Sequence, residues 1–140
     1  MKQALLEGVK PLGIALSEEQ TERFCRYGTL LVEKNAVMNL TAITEPKDVA
    51  LLHFADCLAL TKIRDFKGKT VIDVGCGAGF PGVPLKIGEP SMELTLLDAT
   101  AKRMNWLEQE LLPELGLSAN CLTGRAEELI EGRRHTQHPD

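Results

Sequence analysis

Thr70-Val71-Ile72-Asp73-Val74-Gly75-Cys76-Gly77-Ala78-Gly79-Phe80-Pro81-Gly82 reads as a buried strand that runs into a glycine-rich turn and then a short helix. β-branched Val71, Ile72 and Val74 suit a strand covered on both faces. Gly75, Gly77 and Gly79 tolerate positive φ and carry no Cβ to block a ligand pressed against the backbone. The amides at the start of the following helix are expected to face that ligand. A loop of this kind holds a nucleotide or a nucleoside cofactor, so it bounds the function more than any other stretch.

Spacing narrows the choice. Dinucleotide folds place Gly-x-Gly-x-x-Gly after a first strand, with a ribose-binding acid roughly 20 residues later. Counted from Gly75 the pattern fails, because Phe80 stands where the third glycine belongs. Counted from Gly77 it fits through Gly79 and Gly82, but the turn then starts late. Asp73 separates the readings. A carboxylate at the carboxyl end of the strand repels a pyrophosphate and attracts a cationic amino or sulfonium group. Val-x-Asp-x-Gly-x-Gly-x-Gly therefore resembles the first motif of the S-adenosylmethionine-dependent methyltransferases. An ordinary glycine turn between strand and helix and a dinucleotide site remain the alternatives.

The chain has 140 residues, enough for one modest domain. Hydrophobic residues make up 44%, which supports a packed core, and aromatics only 4%, so that core is mainly aliphatic. A net charge of −4 is the wrong sign for a domain that grips nucleic acid by charge alone, though it leaves room for a local basic patch. Cys25, Cys57, Cys76 and Cys121 are scattered and form no Cys-x-x-Cys pair. With no signal peptide or apolar run of membrane-spanning length, this points to free thiols in a reducing cytoplasm. Cys76 in the loop is read as a small side chain rather than a nucleophile.

Residues 1–65 read as helical, residues 66–130 as a partial α/β methyltransferase domain and residues 131–140 as a polar tail, all parts of one domain. A short helix is expected over Gln3 to Val9. Ser17 and Gln20 form a capping-box pair that opens a helix with Phe24, Tyr27, Leu30, Leu31 and Lys34 at helical spacing. Asn35 to Thr44 reads as a connector. Pro46 suits the first turn of the next helix, in which Val49, Leu52, His53, Asp56 and Leu60 follow helical spacing. From Lys69 strands and helices alternate. The strands are Thr70–Val74, Glu93–Leu97 and Ala119–Thr123. A short helix lies near Val83–Ile87. A longer one runs from Thr100 to Leu115, with Met104, Leu107, Leu111 and Leu115 on one side and Pro113 distorting its last turn. Alternation of this kind implies a parallel sheet with right-handed crossovers.

Asp98 ends strand two at the spacing of a ribose acid; its two oxygens suit two hydroxyls, and capping the next helix is its other reading. Ala126 and Glu127 follow strand three, where all strand ends of a doubly wound fold open on one crevice. A purine contact and an unremarkable helix start are equally compatible with them. His53 reads as a hydrogen-bonded structural histidine rather than a base. His135 and His138 lack further ligands for a metal, and none is expected. Lys102 and Arg103 are weak candidates for phosphate contacts.

Four stretches carry a more specific likeness: Asn39-Leu40-Thr41-Ala42-Ile43-Thr44, His53-Phe54-Ala55-Asp56-Cys57-Leu58, Asp73 to Gly82 continuing as Val83-Pro84-Leu85, and Leu96-Leu97-Asp98 with Lys102-Arg103. With them the chain resembles the glucose-inhibited division protein B family (RsmG), from the N-terminal helix to about Leu129. The family usually has serine where Cys57 stands. The resemblance implies a Rossmann-like fold, S-adenosyl-L-methionine as cofactor, and methylation of N7 of a guanosine in 16S ribosomal RNA, free or in the small-subunit particle. It implies cofactor contacts at Gly75, Phe80, Ala126 and Glu127, with Asp98 as the strand-two acid; Asp73, Gly77 and Gly79 complete the candidate loop. It assigns no catalytic acid or base. A further cofactor-contacting arginine of the family has no counterpart, and residues 132–140 do not resemble the family's continuation. The chain is therefore expected to be a C-terminally truncated member with three parallel strands, little or no activity, and a tendency to self-associate through an exposed sheet edge. A small-molecule methyltransferase and a non-catalytic cofactor-binding fragment are the alternatives.

Overall fold

The computed structural model describes residues 1–40, 45–125 and 127. Helix α1 (Lys2–Val9) ends in a short 3-10 turn, and α2 (Glu18–Met38) follows. Both arms of the expected capping box form: Gln20 N donates to Ser17 Oγ (3.1 Å) and Ser17 N to Gln20 Oε1 (2.9 Å). Phe24, Tyr27 and Leu31 are fully buried. Residues 35–38 prove helical rather than connecting. The helix stops at Asn39, which takes the left-handed conformation (φ 51°) that asparagine tolerates.

A third helical run, α3 (residues 46–62), starts as Pro46–Asp48, widens into a π-helix over Val49–Ala55, and closes through Asp56–Leu58 into a 3-10 turn at Ala59–Lys62. The widening overturns the expected face. A π-turn hydrogen-bonds five residues on and so rotates the side chains that follow. Ala50, Phe54, Ala55 and Leu58 are buried with Val49, whereas Leu52 is 57% exposed.

Strand β1 (Thr70–Val74) leads through the glycine loop to α4 (Gly82–Gly88), β2 (Glu93–Asp98), α5 and β3 (Asn120–Thr123). Helix α5 covers residues 101–115, with a π-helical centre at Leu107–Leu111. Pro113 sits just after that widened turn. The helix therefore continues to Leu115 and stops at Gly116 in the left-handed region (φ 66°). Met104, Leu107, Leu111 and Leu115 are buried as expected.

The three strands pair in parallel in the order β1-β2-β3, with Val71 opposite Leu94 and Leu96 opposite Cys121. A sheet that grows in one direction by right-handed crossovers places both connecting helices on one face. That face carries Leu94, Leu96 and the two buried aspartates, Asp73 and Asp98. The other face is open, so β1 is not covered on both sides. Ile72 is 57%, Val74 58% and Leu122 43% exposed there, while Leu97 is buried. β1 is also an edge among the described residues. Glu93 N donates to Lys69 O and Gly75 N to Leu97 O. By alternation, Thr70, Ile72 and Val74 therefore turn their backbone groups outward.

Candidate cofactor site

The glycine loop does two different jobs. Gly75 (φ 71°) and Gly77 (φ 55°) face open space, with nothing within 4 Å of the position a Cβ would take. Gly79 (φ 101°) faces inward, where a Cβ would fall 2.7 Å from Tyr27 Oη and 2.9 Å from Val83 Cγ2. Gly82 is the same kind of residue, because its Cβ would lie 2.9 Å from Asp73 Oδ2. The first pair leaves room for a ligand and the second pair lets the chain close on itself.

The amides expected to face a ligand are already used. Gly82 N donates to Asp73 Oδ2 at 2.9 Å, and Val83 N to Gly79 O at 2.8 Å. Gly79 N and Phe80 N donate to Cys76 O, and Gly75 N and Cys76 N to Leu97 O. A tight turn must satisfy its own buried donors first. The open surface of Gly75 and Gly77 is what remains for a ligand.

Asp73 lies beneath the loop as the acceptor for the start of α4. Burial pushes its carboxyl up to about 6; the Gly82 amide pulls it back and the charge of Asp98 adds to the rise. Cys76 is buried beside Met104, with Sγ and Sδ 3.9 Å apart, and burial pushes its thiol up to about 12. It is a packing residue at neutral pH.

Asp98 stands at the other wall. Its Oδ2 accepts from Gly77 N at 2.8 Å and its Oδ1 from Thr100 N at 3.0 Å. The carboxylate thus ties the loop to β2 and also steadies the entry into α5, so the two readings of this residue are compatible. Each oxygen has taken one donor, and a carboxylate has about four acceptor sites. Arg103 Nη1 lies 3.8 Å from Oδ2, so this side chain is turned to Asp98. Lys102 is exposed one position earlier and, with Lys34, Asn105 and Trp106, borders a groove of about 560 Å³ between α2 and α5.

Phe80 closes the loop in an aromatic stack. His53 lies over it with ring centroids 4.3 Å apart at 14°, and Tyr27 5.7 Å away at 24°. Tyr27 Oη donates to Ala78 O at 2.6 Å. His53 is held below its ordinary pKa by burial, with Asp56 opposing. Local sequence carries no signal for the Tyr27 contact, since 51 positions separate donor and acceptor. Gly82 enters the sequence reading through the alternative dinucleotide spacing and the Phe80-Pro81-Gly82 ending of the family-like stretch, neither of which points to its packing against Asp73. Glu127 is exposed and helical; Ala126, His135 and His138 lie outside the described residues. No helix among the described residues is long and apolar enough to cross a membrane, and no cluster of metal-ligating side chains occurs among them.

The sequence model of the family described as GidB, rRNA small subunit methyltransferase G, matches residues 20–139. The match extends through residues 132–139, where the sequence reading finds no likeness to the family's continuation. Curated relatives carry the name ribosomal RNA small subunit methyltransferase G. The chain is 43% identical to that of Desulforamulus reducens over 138 residues, 97% of this chain and 57% of the relative. It is 47% identical to that of Caldanaerobacter subterraneus subsp. tengcongensis over 140 residues, again 97% and 57%. It is 44% identical to that of Leuconostoc citreum over 131 residues, 91% and 54%. The chain thus spans little more than half the length of the relatives it matches. A family match over most of the chain, on a three-stranded parallel sheet whose first strand delivers the glycine loop, places it in the rRNA small subunit methyltransferase G family.

Proposed function

We propose that the chain binds S-adenosyl-L-methionine and serves methyl transfer to N7 of a guanosine in 16S ribosomal RNA, presented as free RNA or in the small-subunit particle. One observation carries the reading: two glycines with open space before them lie beside a buried carboxylate that keeps acceptor capacity on both oxygens. Gly75 and Gly77 would hold the cofactor against bare backbone, and Asp98 would take its ribose hydroxyls. Phe80, fixed by its ring stack, would border the pocket, and Glu127, which follows β3 in the chain, would be a further contact, with its sequence neighbour Ala126 proposed alongside it. Asp73 would act from below, by holding α4 against the loop. The bound cofactor supplies an electrophilic methyl group on a sulfonium. Guanine N7 has a free lone pair at neutral pH, so no proton must be removed. The protein's work is then alignment and exclusion of water. His53, held toward its neutral form, is not needed as a base. Lys102, exposed at the start of α5, is the cation that best suits RNA phosphate, since Lys34 across the groove is paired with Glu110 at 3.2 Å.

The uncovered Ile72, Val74 and Leu122 favour a second reading. In it the chain binds cofactor without turnover and associates with itself or another chain through the β1 edge. Incubation with methyl-labelled cofactor and small ribosomal subunits, or their RNA, distinguishes these. Label at guanine N7 supports the enzyme, and label on small metabolites from an extract supports a small-molecule methyltransferase. Binding of S-adenosylhomocysteine without any transfer supports the second reading, and absence of binding refutes both.

A further inference from the structure

We propose that Tyr27, on α2, is a positioning residue for the cofactor loop, which makes the N-terminal helices part of the binding apparatus rather than a scaffold beside it. The inference rests on the cofactor reading above. Tyr27 is fully buried, and its hydroxyl donates to the carbonyl of Ala78, between the two loop glycines 77 and 79. Burial raises its pKa well above the ordinary 10, so the hydroxyl remains a donor at any working pH. The loop is shaped to receive it: Gly79 has no Cβ, and one placed there would lie 2.7 Å from the hydroxyl. The ring also packs on Phe54 (4.9 Å) and Phe80 (5.7 Å). A single side chain therefore fixes both the carbonyl direction at Ala78 and the ring at Phe80. The carbonyl of Cys76 accepts from Gly79 N and Phe80 N, so the turn that exposes Gly75 and Gly77 closes only while residues 78–80 stay in place.

Tyr27→Phe tests this in the whole chain, because the phenylalanine ring preserves the stacking and removes only the donor. The control is Thr21→Val, which deletes a side-chain hydrogen bond to Ser17 O on the same helix, away from the loop. Calorimetric titration with S-adenosylhomocysteine is expected to show affinity falling about fivefold or more in Tyr27→Phe, with faster amide exchange at Gly79 and Phe80 and unchanged exchange in β2. Thr21→Val is expected to keep the wild-type affinity. Affinity within about twofold of wild type in Tyr27→Phe, or an equal loss in Thr21→Val, overturns the proposal. If the wild-type chain binds no S-adenosylhomocysteine, the cofactor reading fails by itself. The role of Tyr27 is then decided by exchange alone: acceleration at Gly79 and Phe80 upholds it and unchanged rates overturn it.

Discussion

Asp98→Ala removes the acceptor of two backbone amides and, on the reading above, the ribose contact as well. The two effects have different sizes. The amides of Gly77 and Thr100 bond to Asp98 at 2.8 and 3.0 Å, but Thr100 is exposed and Gly77 half-buried, so water can replace much of what is lost. The folding cost is about 1–2 kcal/mol, at the low end for charge-assisted bonds. The cofactor has no such substitute in a site it has itself desolvated. Loss of a charge-assisted contact there costs about 1.5–3 kcal/mol, a roughly 10- to 150-fold rise in Kd. Asp98→Asn separates the contributions, since its single carbonyl oxygen can keep one amide while its NH2 meets the other donor. Its affinity and melting temperature should fall between those of the wild type and the alanine variant. Thermal melting followed by circular dichroism gives the folding cost and titration with S-adenosylhomocysteine the affinity. A folded Asp98→Ala protein that binds S-adenosylhomocysteine within about twofold of wild type would refute the assignment of this wall of the site.

Gly75→Val puts a β-branched residue at φ 71° and fills the open side of the loop, so cofactor binding should be lost with a folding cost of about 1–3 kcal/mol; a variant that titrates like wild type speaks against the cradle. Asp73 has a folded pKa of about 6 against an ordinary 3.8, so between these values the folded state holds a proton that the unfolded chain has released. Stability therefore falls as pH rises through that window, by on the order of 3 kcal/mol. Asp73→Asn keeps an acceptor for Gly82 N, and denaturant melts from pH 3.5 to 7 should show that slope removed; equal slopes in both proteins contradict the burial argument. Light scattering of the wild type should show self-association that Ile72→Lys/Val74→Lys abolishes by blunting the β1 edge, and a monomeric wild type rules that edge contact out.

The β1 boundaries, the parallel alternation and the Ser17–Gln20 cap were legible because each depends on residues close in sequence: β-branched runs, glycines at turns, a reciprocal pair three apart. The position of Asp98 at the end of β2, within hydrogen-bond reach of the loop, is legible for the same reason. The π-helical widening at Val49–Ala55 was not, since no residue there departs from ordinary helix formers; tertiary packing of Phe54 against Phe24 and Tyr27 overrides the local period. Asp73 has an internal role that the sequence does not signal. Its position at the strand end suggested a partner in the ligand, whereas the nearest donor is the chain's own Gly82 amide, brought close because that residue has no side chain. The uncovered face of β1 follows from strand order, which a strand's own composition does not encode.

Gln20 does more than close its capping box. Its Nε2 also donates to the carbonyls of Ile87 and Gly88, at 3.0 and 3.3 Å, at the far end of the helix that follows the glycine loop. One amide side chain thus terminates two helices from opposite halves of the sequence. Neither end can fray without releasing the other, so loss of the Gln20 side chain should be felt at the end of α4, more than 60 residues away. Gradual loss of the N-terminal helices ahead of the sheet is then disfavoured, and heat or denaturant should melt both in one cooperative step.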